Sequence, residues 1–270
     1  RGLGDVYKRQ ATIGTDLVYV PFGRDALTFA YNKPTGSPVT NLTSAELTSL
    51  FSTGPQVIGG TVIIPCGIQT GSGTFASWNT ALSINTTQEN TGTGFCNTGL
   101  APFPAVPDAG GRLQESNGPE LTIKANALAT TSNAICDGIP GGALFACTNA
   151  QVIVGFSASQ FIARSNNVAS PNPGAGVELG TINTTLVFVS GSGSSRAPVS
   201  SGYANATYGR DVYNVLPAET ADDLGNLPIQ SMFIGSSSVV CSATTTIETF
   251  GFLSLGGSCG STSLRGTFVS

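Results

Sequence analysis

Short apolar, β-branched runs separated by helically spaced stretches set the rhythm of this chain. Residues 17–21, 27–31, 62–64, 152–156, 186–189 and 212–216 each predict a strand. Between them, Thr43-Ser44-Ala45-Glu46 is a capping box, and Leu47, Leu50 and Phe51 follow it at helical spacing. Residues 157–164, with Phe161 and Ile162 apolar, and residues 247–255 are two further helix candidates. Strands alternating with helices predict an α/β architecture. Residues 85–150 are rich in Gly, Asn, Thr and Pro and hold three cysteines, so the pattern there predicts a loop-dominated, disulfide-pinned region. Pro171-Asn172-Pro173-Gly174 and Gly191-Ser192-Gly193-Ser194-Ser195 read as turns or linkers, and no repeat recurs at a fixed period.

The stretch Thr70-Gly71-Ser72-Gly73-Thr74 stands between the apolar run Val62-Ile63-Ile64-Pro65 and the helically spaced Phe75, Trp78 and Leu82. It predicts strand, glycine-rich turn, helix start. Gly71 and Gly73 permit backbone angles that a side chain forbids, and the hydroxyls of Ser72 and Thr74 suit a helix cap. Free N–H groups and the helix macrodipole then converge on one point, an arrangement that receives an anion without needing a lysine. The competing reading is an ordinary loop, because Gly, Ser and Thr are abundant along the whole chain.

Composition narrows the class. Hydrophobic residues make up 40% of the 270, including 14 Phe, enough for a packed core, yet only 10% are charged, against the ~25% usual in soluble domains. The polar surface is therefore built from Ser, Thr, Asn and Gly, as in many secreted and wall-associated proteins. A net charge of −4 with no basic stripe excludes a nucleic-acid partner, since phosphate-backbone binding needs clustered Lys and Arg. The arginines are scattered singly and read as solvated surface residues. Arg24 alone sits inside an otherwise apolar stretch.

Cys66, Cys96, Cys136, Cys147, Cys241 and Cys259 form an even set without a C-x-x-C spacing. With no histidine and no close thiol pairs, a zinc site is disfavoured, and the metal and cofactor expectation is none. Disulfides between sequence neighbours are expected: Cys66 with Cys96, Cys136 with Cys147, and Cys241 with Cys259. Buried free thiols are the alternative. The sequence shows no signal peptide, no run of 18 apolar residues and no initiator Met. Its first ten residues, Arg1-Gly2-Leu3-Gly4-Asp5-Val6-Tyr7-Lys8-Arg9-Gln10, resemble a translated sequencing-library linker and are set aside from the fold.

The absence of histidine removes Ser-His-Asp and Cys-His catalysis in their usual forms. No G-x-S-x-G elbow, S-x-x-K, Walker A loop or G-x-G-x-x-G fingerprint is present either. Asp222-Asp223 reads as a solvated helix end. Glu89 and Glu115 fall in polar stretches and are the remaining acid or base candidates, which keeps a carboxylate-based hydrolase as the weakest of three functional readings.

Taken in order, several segments resemble one family, the type II periplasmic binding proteins of the phosphate-binding, PstS-like group, in a cysteine-containing branch common in actinobacteria. Val20-Pro21-Phe22-Gly23-Arg24-Asp25-Ala26-Leu27 resembles its hinge strand. The segment from Val39 through Leu50-Phe51 resembles the helix that follows, and Gly71-Ser72-Gly73-Thr74 falls at the family's anion loop. Leu113-Gln114-Glu115-Ser116-Asn117-Gly118, then residues 154–163, then the return hinge at residues 210–217, and last a tail with Cys241, Gly251-Phe252 and Cys259 continue the series through residue 260.

The resemblance implies a two-lobed α/β protein that closes on phosphate or a similar oxyanion and hands it to the permease of an ABC-type transporter. It implies a non-enzymatic, secreted or cell-surface monomer. Residues 11–30 are expected to supply a first-lobe remnant and hinge strand, residues 31–209 the second lobe with the anion loop, and residues 210–270 the return hinge and the rest of an incomplete first lobe. The ligand residues it implies are Gly71, Ser72, Gly73 and Thr74, with Gln69 and Arg24 as further donors. One position departs from the family pattern: four residues before Ser72, where phosphate binders often carry arginine, this chain has Ile68. That neutral position and the Ser/Thr/Gly/Asn-rich surface favour an alternative, a surface or adhesive protein that keeps the fold without transport.

Overall fold

The computed structural model describes residues 14–97, 111–129 and 150–268. Residues 1–10 and the Cys136 and Cys147 expectation lie outside them. The strands are β1 (Asp16–Asn32), β2 (Asn41–Leu42), β3 (Gln56–Ile58), β4 (Thr61–Cys66), β5 (Gln151–Ser157), β6 (Glu178–Leu179), β7 (Thr181–Ile182), β8 (Val189–Ser190), β9 (Ala197–Pro198), β10 (Gly209–Pro217) and β11 (Arg265–Thr267). The helices are α1 (Ser44–Thr53), α2 (Gly73–Ala81), α3 (Thr86–Asn97), α4 (Gly118–Ala129), α5 (Ala158–Ser165), α6 (Ser200–Tyr203), α7 (Ala218–Asp222), α8 (Leu227–Phe233), α9 (Val239–Ser242) and α10 (Thr244–Thr249). The α/β class expected from the sequence is what the chain adopts. None of the described helices is long and apolar enough to cross a membrane.

The chain divides into two compact units, and β1 contributes to both. The larger unit comprises Asp25–Gly209 with Thr249–Gly251. Its sheet runs β1-β5-β4-β3: β5 is antiparallel to β1 and parallel to β4, and β3 closes the edge antiparallel to β4. Every residue of β4 and β5 is buried, as a strand covered on both faces requires. Trp78 of α2 lies across β5 at Gly155, where an added Cβ would come within 2.7 Å of the indole. The same Trp78 meets Phe51 of α1 edge-on, with ring centroids 5.5 Å apart. One side chain thus joins two helices to the sheet.

The capping box forms as predicted: Thr43 Oγ1 accepts from the Glu46 amide at 3.1 Å, and Glu46 Oε2 accepts from the Thr43 amide at 2.7 Å. It fixes the start of α1 and turns Leu47, Leu50 and Phe51 inward.

Three expectations need correction. The 85–150 stretch is not loop-dominated where it is described, because α3 and α4 occupy much of it. α3 holds despite two glycines and four threonines because it lies against α1: a Cβ on Gly92 would sit 2.2 Å from the Phe51 carbonyl oxygen. Helix expected over 247–255 starts earlier and ends at Thr249, where Gly251 turns left-handed with φ +79°. The strand expected over 186–189 shrinks to the two-residue β8.

Among the described residues, the smaller unit comprises residues 14–24, Arg210–Glu248 and residues 252–268. Its strands β10 and β11 are sheet neighbours of β1, with β11 antiparallel. Val18, Val20 and Ala221 form its buried cluster, against which Leu216, Ala218 and Ile234 pack. Asp222 ends α7 on the surface and pairs with Arg265 at 2.6 Å. In this unit Cys241 is bonded to Cys259, and in the larger one Cys66 is bonded to Cys96, two of the pairings expected from sequence.

Beside Cys96 lies an unusual buried amine. Lys124 of α4 is fully buried, its Nζ donates to the Cys96 carbonyl at 2.9 Å, and burial pulls its pKa down to about 8, with Glu120 opposing.

Two outcomes follow from this packing. Gly155→Ala is expected to lose about 1–3 kcal/mol in urea unfolding, the usual cost of forcing a methyl into a filled core. Between about pH 8 and 10.5 the unfolded chain keeps the Lys124 proton that the folded chain has released, so stability rises with pH across that window. Melting temperatures of the wild-type chain relative to Lys124→Met should therefore climb from pH 7.5 to pH 10; a flat difference would count against the buried amine.

Candidate functional site

Because β4 and β5 are parallel, the helices that follow them begin at the same edge of the sheet, and α/β folds place ligands at that edge. β4 leads through residues 67–72 into α2, and β5 leads directly into α5. Each start is capped by a serine. Ser72 Oγ accepts from the Phe75 amide at 3.0 Å, and Ser157 Oγ accepts from the Gln160 amide at 3.2 Å.

Gly71 and Gly73 do not play the role expected of them. Neither adopts positive φ. Both are exposed, and a Cβ on either would meet nothing within 4 Å. What they supply is open space above the first turn of α2. Ser72 and Thr74 are buried, and the Thr74 amide donates to Glu115 Oε1 at 3.2 Å. The Gln69 backbone N–H donates to the Leu113 carbonyl at 2.8 Å, and its backbone carbonyl accepts from the Ser72 amide at 3.3 Å, which closes the turn. Arg24 belongs to the smaller unit, where its guanidinium meets Asp211 at 2.6 Å.

The segment that brings Glu115 to the loop is a short parallel pairing: Ile68 bridges Leu113, and Leu113 donates to the Gly67 carbonyl at 2.9 Å. Arg112 anchors that pairing from inside. Its Nε donates to the Ile68 carbonyl at 2.8 Å, its Nη1 donates to Asn90 Oδ1 at 2.8 Å, its Nη2 pairs with Glu89, and its guanidinium lies 5.3 Å from the centre of the Phe75 ring. Burial lowers its pKa to about 10, which still leaves it charged at neutral pH. Glu89 is 1% exposed and committed to this pair, so the acid–base role weighed for it is replaced by a structural one. Ile68 is buried, so its side chain faces the core.

At the neighbouring helix start, Asp25 is buried and accepts from Ser157 Oγ at 2.9 Å and from the Ser159 amide at 3.1 Å. Ser116, with φ +52°, receives the Ser157 amide at 3.5 Å, the far end of hydrogen-bonding reach. Both helix N-termini therefore hold a carboxylate of this chain, Glu115 at α2 and Asp25 at α5, as the macrodipole favours.

Arg164, in the last turn of α5, is a cation that the sequence reading did not single out. Its Nε and Nη1 are buried without a hydrogen-bond partner among the described residues. Burial lowers its pKa, and the Glu115 carboxylate pushes it back up. Among the described residues no group of His, Cys, Asp and Glu is arranged to hold a metal.

No protein-family model matches this chain, and no curated protein does. Solved structures similar to it include an ABC-type phosphate transport receptor from Vibrio cholerae, at 16% identity and TM-score 0.45 over 92% of this chain and 75% of that one. A putative phosphate ABC transporter substrate-binding protein with bound phosphate from Clostridium perfringens is similar at 13% identity and TM-score 0.47, over 88% and 72%. PstS from Borrelia burgdorferi is similar at 15% identity and TM-score 0.39, over 88% and 72%.

The buried pair behind the loop gives a direct test. Glu89→Gln leaves the Arg112 charge without its counter-ion and is expected to cost about 3–5 kcal/mol in chemical unfolding. A paired Glu89→Leu, Arg112→Met variant should recover most of that loss, since neither charge is then stranded. Equal losses in both would assign the cost to packing instead.

Proposed function

We propose that the chain is an extracytoplasmic solute-binding protein that takes phosphate or a similar oxyanion and serves an ABC-type transporter, without catalysis of its own. One observation carries the reading: the first turn of α2 already holds a carboxylate through the Thr74 amide, beneath open space over Gly71 and Gly73. A carboxylate and a phosphate oxygen make the same demand on that amide, for an acceptor of negative charge at a helix start. Gly71, Ser72, Gly73, Thr74 and Gln69 are the ligand residues in this reading, with Arg24 as a further donor. Residues 31–209 form the lobe that carries the loop, residues 11–30 and 210–270 contribute to the other, and the protein acts as a secreted or surface-held monomer of the cysteine-containing branch.

A second reading has a specific observation in its favour. Buried Ile68 contributes no guanidinium where phosphate binders have one, and charge-assisted bonds are about twice as strong as neutral ones. That deficit suits a surface or adhesive protein that keeps the fold without transport.

Calorimetric titration with inorganic phosphate and with sulfate separates the two. Transport predicts a Kd on the order of micromolar or tighter for one of them, reduced at least tenfold in Ser72→Ala, Thr74→Val. Because losing the Ser72 cap costs about 1 kcal/mol of helix stability, the variant must first be shown to melt as a folded protein. Absence of any oxyanion binding by the wild-type chain would favour the surface role.

A further inference from the structure

A groove of about 420 Å³ lies within the smaller unit, lined by Pro21 of β1, Asp211 and Tyr213 of β10, and Ser258, Ser261 and Leu264 of the segment that precedes β11. Its walls are held by the protein itself. The Gly260 amide donates to the Pro21 carbonyl at 2.8 Å and the Tyr19 amide to the Leu264 carbonyl at 2.9 Å, so the segment is tied to β1 at two points. The bond between Cys241 and Cys259 anchors it again. Ser261 Oγ and Ser263 Oγ hydrogen-bond each other at 2.9 Å, and the Ser263 amide donates to Ser261 Oγ at 3.3 Å. Tyr19 meets the Tyr213 ring edge-on, with centroids 6.1 Å apart. A concavity fixed in this way asks little further ordering of the protein when a ligand enters.

The groups that line it select the chemistry. Arg24 meets Asp211 Oδ1 at 2.6 Å, while Asp211 Oδ2, Tyr213 Oη and Ser258 Oγ have no hydrogen-bond partner among the described residues. An anion is disfavoured, because a carboxylate lines the groove and none of the lining residues is cationic. A cation gains little, because Arg24 already answers that carboxylate. A hydrocarbon would cover the polar groups and leave them unpaired. A ring with a carbon face and hydroxyls around its rim meets every demand: Tyr213, Pro21 and Leu264 offer apolar surface, the phenol and serine hydroxyls both donate and accept, and Asp211 Oδ2 accepts. We infer that this groove binds a neutral saccharide, with one sugar ring against Tyr213 and one of its hydroxyls on Asp211. Its volume stands at the small end of the ~300–1,000 Å³ usual for ligand sites, which suits a single unit of a longer glycan. The inference goes beyond the oxyanion reading and does not depend on it, since the loop at residues 67–74 belongs to the larger unit.

The test is titration of the full chain with glucose, N-acetylglucosamine, cellotetraose and chitotetraose, followed by amide NMR shifts and calorimetry. At least one of the four should bind with a Kd on the order of 1 mM or tighter. The shifts should fall on residues 211–213 and 257–264 and leave residues 67–74 unmoved. Asp211→Asn and Tyr213→Leu should each weaken binding at least fivefold, with thermal melting to confirm that each is folded. Ser258→Ala removes one exposed hydroxyl that the fold does not use, so it should weaken binding at an unchanged melting temperature. Ser194→Ala, an exposed serine of the larger unit, should change nothing. No binding of any of the four saccharides overturns the assignment, as does binding that all three groove variants leave intact. Inorganic phosphate or sulfate that shifts residues 211–213 overturns it too, because the groove would then be an anion site. Failure of the saccharide titrations leaves the oxyanion reading standing, and failure of the phosphate and sulfate titrations leaves this groove untouched.

Discussion

The guanidinium of Arg112 is the constraint on which the loop at residues 67–74 depends. A single buried cation bonds the Ile68 carbonyl, Asn90 and Glu89 and lies over Phe75, so the strand exit, α3, α2 and the segment at residues 111–117 share one fixed point. Each partner answers a different requirement. The carboxylate offsets desolvation of the charge, the carbonyl and amide oxygens satisfy directional donors, and the ring covers the face that cannot hydrogen-bond. Remove that point and the loop would still have its serine cap, and residues 112–114 would be held against residues 67–69 by their backbone bonds alone.

Charges are scarce in this protein, and the described ones are placed economically. Arg24, Arg112, Arg196 and Arg265 each meet a carboxylate within the unit they belong to. Arg196 also lies 4.8 Å from the centre of the buried Phe161 ring of α5, as well as meeting Glu178. Caps and turns are left to Ser, Thr and Asn: Thr43, Ser72, Ser157 and Ser238 each receive an amide at a helix start. A surface made this way carries little long-range field, and local hydrogen bonds do the work that ion pairs do in a more charged protein.

Local signals were readable wherever the chain states its own boundary. The capping box at Thr43 and Glu46 and the apolar runs that became β4 and β5 need only a few neighbouring residues to be recognised. α3 was not legible, because Thr and Gly are poor helix formers and its stability comes from lying on α1 through Gly92, a contact invisible in its own twelve residues. α4 carried a signal that was passed over: Asn117 caps the Glu120 amide at the spacing of a helix start. Ser72 as a cap could be read from its position before an apolar helical pattern, whereas the meeting of Thr74 with Glu115 could not. That contact depends on a pairing between segments over forty residues apart. Arg112, among neutral residues, looks like a surface cation until the fold buries it.

The bond between Cys66 and Cys96 has a consequence for how this region meets proteases. The residues between them, 30 positions apart, include the whole loop at residues 67–72, all of α2 and most of α3, so this part of the chain is a covalent ring. A peptide bond cut anywhere inside the ring leaves both new ends attached through sulfur, and no fragment departs. Re-forming the contacts is then an encounter between tethered neighbours, with the small closure entropy of a short loop, and not a meeting of separate chains. In an extracellular setting, where cleavage of exposed turns is a routine hazard, the ring gives the loop over Gly71 and Gly73 a tolerance to nicking that its exposure alone would deny it.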